Sequence, residues 1–188
     1  MANPASALQI GRGLTFLLGG ARSGKSDLAV SLASAFDGDV VFAATAEAGD
    51  ADMESRIDKH RADRPSEWGL VEEPLLDAGT IDSIEPSQLL IIDCLTLLVS
   101  NLIFADKSDE QIAQHASVLA HVLVSRPAPT IVISNEVGLG VHPDTELGRR
   151  YRDVLGRYNA AISARAQTAL FVAAGRAIPL QEVSLRWN

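Results

Sequence analysis

The sequence predicts an α/β fold in which a mostly parallel sheet is covered by helices on both faces. Short apolar or β-branched runs alternate with segments of helical periodicity along the whole chain, a pattern typical of strand–helix–strand units. The predicted strands are apolar almost throughout, as expected for strands buried on both faces. The 188 residues suit one domain and contain neither an internal repeat nor a long linker. We therefore expect one domain over residues 14–188, preceded by an extension, residues 1–13, without an assigned role.

The individual elements follow from local composition. Strands are predicted at residues 14–18, 40–44, 89–93, 130–134 and 169–173, with a last one that includes residues 180–185. Two longer helices are predicted from apolar positions at three–four spacing: Ile112, Ala116, Leu119 and Leu123, then Leu147, Tyr151, Val154, Tyr158 and Ile162. His115 and His121 are expected on a solvated helix face. In such sheets ligands bind where loops leave the carboxyl ends of the strands, so polar residues at those points are the candidates for function.

Composition and charge exclude several classes of protein. An apolar content of 47% excludes a disordered chain, and a net charge of −8 argues against a nucleic-acid-binding surface. The longest apolar run, residues 89–99, is interrupted by Asp93 and is shorter than the roughly 20 residues of a membrane span. The single cysteine, Cys94, cannot form an internal disulfide, and no secretory signal pattern is present. We therefore expect a cytoplasmic protein without a membrane span, in which Cys94 is a buried residue rather than a nucleophile.

A phosphate-binding loop is predicted between the first strand and the first helix. The segment fits the pattern G-x-x-x-x-G-K-[ST] with Gly19, Gly20, Ala21, Arg22, Ser23, Gly24, Lys25 and Ser26. Backbone N–H groups of such a loop and the following helix N-terminus bind anions. Lys25 is expected to reach the β- and γ-phosphates and Ser26 to bind Mg²⁺. The alternative, a glycine-rich turn that matches by accident, is disfavoured by the strand before the motif and the helix after it.

Two further strands end in polar residues. Residues 89–93 place the carboxylate of Asp93 after four aliphatic residues, which favours a Mg²⁺ ligand near the open end of the strand. The alternative is that Asp93 caps the next helix. Asn135 and Glu136 follow the strand at residues 130–134, and glycines after them would let the backbone pass close to a ligand. The alternative there is an Asx turn with a solvated glutamate.

A histidine is predicted on the buried stripe of a helix after residue 50. Met53, Ile57 and His60 follow a three–four spacing, and Arg56 and Arg61 flank the histidine. A core histidine bonded to a carbonyl explains this position. So does a neutral imidazole that acts as a nucleophile on a phosphate held by the arginines. Spacing alone leaves both interpretations open.

Taken in order, these residues resemble a known family. The chain resembles the bifunctional adenosylcobinamide kinase/adenosylcobinamide-phosphate guanylyltransferases of cobalamin biosynthesis over residues 14–180. The resemblance rests on the loop at residues 19–26, Ala44-Thr45, Arg56-Ile57 with His60, Arg64-Pro65 with Trp68, Asp93-Cys94-Leu95-Thr96, Asn101-Leu102, Asn135-Glu136-Val137-Gly138, Arg152-Asp153, Gly156 and Asn159.

The resemblance implies two reactions on one RecA-like P-loop NTPase domain. A nucleoside triphosphate, ATP or GTP, phosphorylates adenosylcobinamide, and GTP then transfers GMP through a guanylyl-histidine to give adenosylcobinamide-GDP. It implies that His60 is the nucleophile and that Lys25 contacts the phosphates; we expect Lys25 and Asp93 to join His60 in catalysis. Ser26 and Asp93 are expected to hold Mg²⁺. The expected nucleotide contacts are residues 19–26 with Arg56, Arg61, Glu72, Asn135 and Glu136. A homotrimer is also implied. A single-activity P-loop kinase with a structural His60 and a non-enzymatic nucleotide switch are the alternatives.

Overall fold

The computed structural model describes residues 11–47 and 65–181, which form a seven-stranded sheet flanked by helices. The strands are β1 Leu14–Gly19, β2 Val40–Ala44, β3 Gly69–Glu72, β4 Leu89–Asp93, β5 Thr130–Asn135, β6 Thr168–Ala173 and β7 Arg176–Pro179. The helices are α1 Lys25–Ala33, α2 Ala78–Asp82, α3 Leu95–Phe104, α4 Asp109–Ser125 and α5 Glu146–Ser163. The strand order is β3-β2-β4-β5-β1-β6-β7, and every neighbouring pair is parallel except the antiparallel pair β6–β7.

Helices cover both faces of this sheet, which confirms the predicted fold class. Alternate strand residues such as Phe16 and Ile92 pack with α3, α4 and α5 on one face. Their neighbours Leu17 and Ile91 pack with α1 on the other face. Because both faces are covered, the central strands have no solvent-facing positions, and this accounts for their continuous apolar sequences.

The five internal strands agree with the sequence prediction to within a residue at either end, but the two edge strands do not. No strand was predicted at β3, and the last strand of the described residues, Arg176–Pro179, ends before the predicted segment 180–185. Leu180 and Gln181 follow β7, and the remainder of the predicted segment lies outside the described residues. Edge strands keep one side unpaired and are largely exposed here, so they lack the apolar pattern used to find strands. The two-residue turn Ala174–Gly175, with φ values of 50° and 73°, sets the position of β7.

The predicted apolar stripes of α4 and α5 are buried, except that Tyr151 is partly buried and Leu147, in the first turn of α5, is 49% exposed. The expectation for His115 was wrong: its ring is half-buried between α4 and α5, and Nδ1 lies 2.8 Å from the hydroxyl of Tyr158. Burial lowers the pKa of His115. His121 is exposed as expected. The predicted helix that carries His60 lies outside the described residues. None of the helices in the described part of the chain is both long and apolar enough to cross a membrane.

Candidate active site

The loop between β1 and α1 requires glycine at two positions. A Cβ added at Gly19 would overlap the carbonyl oxygen of Val172 on the neighbouring strand β6. Gly24 has a φ of 96° and occupies the N-cap of α1 without a capping side chain. This left-handed conformation is strained for residues with a side chain. The loop is also held from the β6–β7 turn, where the Gly175 N–H donates to the Ser23 carbonyl over 2.9 Å. Close packing and backbone conformation therefore account for glycine at both positions.

Lys25 lies folded against this loop. Its side chain is buried, and Nζ donates to the Gly20 carbonyl over 2.6 Å and to Ser23 Oγ over 3.4 Å. Burial lowers the pKa of Lys25, while the nearby Asp93 carboxylate acts in the opposite direction. The ammonium is thus positioned by neutral acceptors, a carbonyl and a hydroxyl. A phosphate oxygen offers it an anionic acceptor, so that both partners of the hydrogen bond are charged.

Ser26 and Asp93 are brought together from distant parts of the sequence. Ser26 Oγ donates to Asp93 Oδ2 over 2.9 Å, which joins the start of α1 to the end of β4. The alternative role of Asp93 as a helix cap is not observed, because the N-cap residue of α3 is Cys94. Mg²⁺ is commonly bound by one or two protein oxygens together with substrate phosphates and waters. One hydroxyl and one carboxylate at this position fit such a cation.

A metal site made of protein side chains alone is not evident in the described part of the chain. Residues 11–47 and 65–181 contain no group of three or more His, Cys, Asp and Glu side chains that could hold an ion. Any cation bound by Ser26 and Asp93 would therefore depend on phosphate oxygens to complete its coordination. This dependence is typical of Mg²⁺ in P-loop enzymes.

Asn135 and Glu136 lie between Asp93 and the phosphate-binding loop because β5 separates β4 from β1. Asn135 is in register with Gly19, and the Glu136 N–H donates to the Gly19 carbonyl over 3.1 Å. Glu136 Oε1 accepts from the Gly138 N–H over 2.6 Å, so its carboxylate closes a local turn. Both residues are partly exposed at the carboxyl edge of the sheet. They are adjacent to the loop even though more than 100 residues separate them from it in sequence.

The remaining predicted site residues are more dispersed. Gly20, Ala21 and Arg22 are exposed at the tip of the loop. Glu72 is in register with Ala44, as is Asp93, so it lies at the same sheet edge. However, β3 is four strands from β1, which corresponds to roughly 19 Å at the usual strand spacing. The structure therefore does not bring Glu72 to the phosphate-binding loop.

The predictions for His60, Arg56 and Arg61 lie outside the described residues.

Sequence reasoning did not assign roles to the polar residues that support this edge. Thr45 Oγ1 donates to the Cys94 carbonyl over 2.7 Å and accepts from the Cys94 N–H over 3.0 Å. Asn101 Nδ2 donates to the carbonyls of Thr45 and Pro74. Thr45 comes directly after a strand and is fully buried, a position that would indicate a structural hydrogen bond. Burial raises the pKa of Cys94 to about 11, as expected for an inert thiol.

Sequence comparison identifies the relatives of this chain. Residues 15–180 match the model of the CobU family, described as cobinamide kinase/cobinamide phosphate guanyltransferase. The chain is 44% identical to the bifunctional adenosylcobalamin biosynthesis protein CobP of Pseudomonas aeruginosa, with 88% of this chain and 95% of the relative covered. It is 32% identical to the bifunctional adenosylcobalamin biosynthesis protein CobU of Escherichia coli, with 89% of this chain and 99% of the relative covered.

Solved structures with little sequence similarity share the fold. A structural-project protein of Pyrococcus horikoshii gives a TM-score of 0.56 at 8% identity, with 94% of this chain and 89% of that chain covered. An ATPase of the type III secretion system of pathogenic bacteria gives a TM-score of 0.54 at 11% identity, with 85% of this chain and 50% of that chain covered. These likenesses agree with the P-loop NTPase fold indicated by the loop geometry. Given the family match over residues 15–180, the chain belongs to the cobinamide kinase/cobinamide phosphate guanyltransferase family.

Proposed function

We propose that this protein phosphorylates adenosylcobinamide with a nucleoside triphosphate and then transfers GMP from GTP to the product, giving adenosylcobinamide-GDP in cobalamin biosynthesis. Membership of the family makes it a transferase. The observation that carries the proposal is the pairing of Ser26 with Asp93 beside the buried Lys25, in a chain that matches bifunctional relatives along nearly their whole length. This arrangement suits phosphoryl chemistry, in which positioning and charge stabilisation provide most of the catalysis.

In the kinase step, the residues of the loop bind and orient the triphosphate. Lys25 exchanges its loop partners for phosphate oxygens, and the backbone N–H groups of residues 19–26 face the same anion. Ser26 and Asp93 would hold Mg²⁺, which neutralises phosphate charge when bound. The substrate hydroxyl attacks the γ-phosphorus, its proton is lost, and the bond to the bridging oxygen breaks to release the nucleoside diphosphate. Asn135 and Glu136 provide further polar groups beside the triphosphate, at the end of β5.

In the second step, we propose His60 as a nucleophile. A neutral imidazole nitrogen of His60 forms a bond to the α-phosphorus of GTP, and the bond from this phosphorus to the bridging oxygen breaks to release pyrophosphate. A phosphate oxygen of adenosylcobinamide phosphate then displaces the imidazole. Because pyrophosphate leaves before the second polyanion reacts, the covalent intermediate separates two steps that would otherwise bring like charges together. Arg56, Arg61 and Glu72 are proposed as further nucleotide contacts of this step.

Labelling with GTP tests the covalent step. Label from the α-phosphate should remain on the denatured protein and be lost in acid but not in alkali, whereas label from the γ-phosphate should not be retained. His60→Ala should abolish the labelling while adenosylcobinamide is still phosphorylated. His121→Ala, which alters an exposed histidine, is the control. An active kinase without retained label would instead support a single-activity enzyme with a structural His60.

Replacement of Lys25 tests the phosphate-binding loop. Loss of a charged phosphate contact should cost about 2–4 kcal/mol of transition-state stabilisation, or about 10²–10³ in rate. The measurement is γ-phosphate transfer to adenosylcobinamide by Lys25→Ala. Lys107→Ala removes a lysine that lies beyond the end of α3 and serves as the control. A Lys25→Ala enzyme with the full rate would place phosphoryl transfer elsewhere.

The proposal also includes a homotrimer, which the resemblance implies, and a cytoplasmic location, which rests on the single cysteine and the missing signal pattern in the sequence. The mass of the protein in solution, measured by light scattering during gel filtration, tests the first. A monomer of 20.0 kDa would contradict it.

A further inference from the structure

Strand β5 extends beyond the end of β4 at the carboxyl edge of the sheet, where the candidate active site lies. The last residue of β4, Asp93, is in register with Ile133, whereas β5 continues to Asn135. The Glu136 N–H points towards β1, where it bonds the Gly19 carbonyl. Since successive residues of a strand direct their backbone polar groups to opposite sides, the N–H and carbonyl of Asn135 face the side that β4 no longer occupies. These two groups need partners other than a strand.

Two side chains from different helices take the place of the missing strand. Thr96 Oγ1, from the first turn of α3, accepts from the Asn135 N–H over 3.0 Å. Asn159 Nδ2, from α5, donates to the Asn135 carbonyl over 3.1 Å. The peptide groups on both sides of the Asn135 Cα are thereby fixed. Its side-chain amide makes no hydrogen bond to the described residues and remains available at the sheet edge.

The backbone of Thr96 and the side chain of Asn159 are themselves held by hydrogen bonds. The Tyr151 hydroxyl donates to the Thr96 carbonyl over 3.2 Å. Ser134 Oγ donates to Asn159 Oδ1 over 2.6 Å, and both of these residues are buried. Burial raises the pKa of Tyr151, so the phenol retains the proton that it donates. Each member of this network has a defined donor or acceptor role, which limits the orientations available to Asn135.

We propose that Thr96 and Asn159 are positioning residues that hold the Asn135 amide and the Glu136 carboxylate against the nucleoside triphosphate bound by the loop. The inference rests on the proposed phosphoryl transfer. Neither residue forms a hydrogen bond with the loop in the described structure; each acts through the backbone of Asn135. Glu136, one residue further on, bonds Gly19 at the start of the loop. A shift of this strand end would therefore move polar groups relative to Lys25 and Ser26.

The expected consequence of losing this support is kinetic. Catalysis by positioned groups is sensitive to small displacements, and a misplacement of about 1 Å can cost about 10²-fold in rate. Binding of the triphosphate is expected to depend mainly on the glycine loop and Lys25, and the hydrogen bonds of Thr96 and Asn159 go to Asn135 instead. We therefore expect a fall in kcat with little change in nucleotide affinity.

Thr96→Val tests this inference because it removes the hydroxyl and conserves the side-chain shape. Phosphoryl transfer to adenosylcobinamide should lose about 10–100-fold in kcat, with nucleotide Kd within about twofold of the original. Thr96→Ser, which retains the hydroxyl, should restore most of the rate. Thr130→Val is the matched control: Thr130 lies at the other end of β5, is fully buried, and its hydroxyl has no hydrogen-bond partner among the described residues. This control should keep both kcat and Kd.

Asn159→Asp provides an independent variant because it replaces the donor to the Asn135 carbonyl with an oxygen. It should lower kcat at least as much as Thr96→Val. Should Asn159→Asp fail to fold, Ser134→Ala removes only the bond that orients Asn159 and should give the same effect more weakly. An unchanged kcat in folded Thr96→Val, or an equal loss in Thr96→Val and Thr96→Ser, would overturn the inference.

NMR measurements that do not require catalysis distinguish failure of this inference from failure of the proposed function. The exchange rate of the Asn135 backbone amide, measured by NMR, should rise at least about tenfold in Thr96→Val and stay unchanged in Thr130→Val. A non-hydrolysable ATP analogue should shift the Asn135 side-chain amide signal in the original protein and shift it less in Thr96→Val. An original protein that shows both effects but transfers no phosphate would contradict the proposed function and not the positioning role. Absence of both effects would contradict the positioning role itself.

Discussion

The centre and the edges of the sheet differ in how they are held and in what they carry. The side chains of β4, β5 and β1 are almost completely buried, and these strands end in Asp93, Asn135 and the phosphate-binding loop. The edge strands β3 and β7 are largely exposed and are held mainly by backbone pairing with one neighbour. The candidate active site is therefore built on the most deeply buried strands. Polar residues that need a fixed geometry are placed where local unfolding is expected to be rarest.

The largest difference between the two regions should appear when a large side chain is truncated. Ile91, in the centre of β4, is fully buried, and Ile91→Ala should lower the free energy of unfolding by about 2–5 kcal/mol. Leu70→Ala alters β3, where the side chain is 45% exposed, and should cost less than about 1 kcal/mol. Urea denaturation followed by circular dichroism measures both. Equal losses at the two positions would show that the edge contributes more than its burial indicates.

A comparison of two adjacent glycines sharpens the contrast within the loop itself. A Cβ at Gly19 would overlap the Val172 carbonyl of β6, whereas a Cβ at Gly20 would meet no atom within 4 Å. Gly19→Ala should therefore destabilise the fold by about 1–3 kcal/mol and weaken nucleotide binding, while Gly20→Ala should leave stability nearly unchanged. Thermal unfolding and calorimetric titration with ATP measure the two effects. Similar stability of the two variants would contradict the close packing of β1 against β6.

The smallest effect is expected in the helical layer that covers the centre, at His115. Burial lowers the pKa of its imidazole, so the unfolded chain takes up a proton at a higher pH than the folded chain does. Stability contributed by neutral His115 should be fully present above about pH 6.5 and decline as the pH falls from there towards the lowered pKa. The Leu76 backbone and, to a smaller extent, the Asp77 carboxylate oppose this lowering of the pKa, and the Tyr158 hydroxyl is hydrogen-bonded to the ring.

Unfolding free energies between pH 7.5 and 5 should therefore have a smaller slope for His115→Gln than for the original protein, whereas His121→Gln should leave the slope unchanged. An unchanged slope in His115→Gln would assign the pH dependence to other groups.

The same contrast between centre and edge decides how far the fold was predictable from the sequence. Residues 40–44 and 89–93 were located correctly because continuous apolar sequence is the direct consequence of burial on two faces. β3 was missed because its residues are mostly exposed and carry little of that signal. The exposure of His115 was predicted wrongly because periodicity identifies the buried face of α4 but does not show that α5 packs against residues beside that face.

The site was predictable where a motif or a strand end marked it. Lys25, Ser26 and Asp93 were each identified from sequence, and the structure adds that the last two are in contact. Glu72 was grouped with the nucleotide contacts, yet the strand order separates it from the loop. Thr96 and Asn159 could not be assigned a role, because their partner is the backbone of a residue in another element.

By itself, the amino-acid sequence determined the α/β class, the internal strands, the phosphate-binding loop and the residues that end the strands, since these depend on local composition and spacing. Only the tertiary structure decided the strand order, and with it which strand ends are neighbours. That order inserts β5 between Asp93 and the loop, makes β3 and β7 the edges, and leaves the end of β5 to be held by side chains. The physical reason is that strand pairing depends on contacts between segments far apart in sequence, whereas the hydrophobic pattern reports only whether each segment is buried.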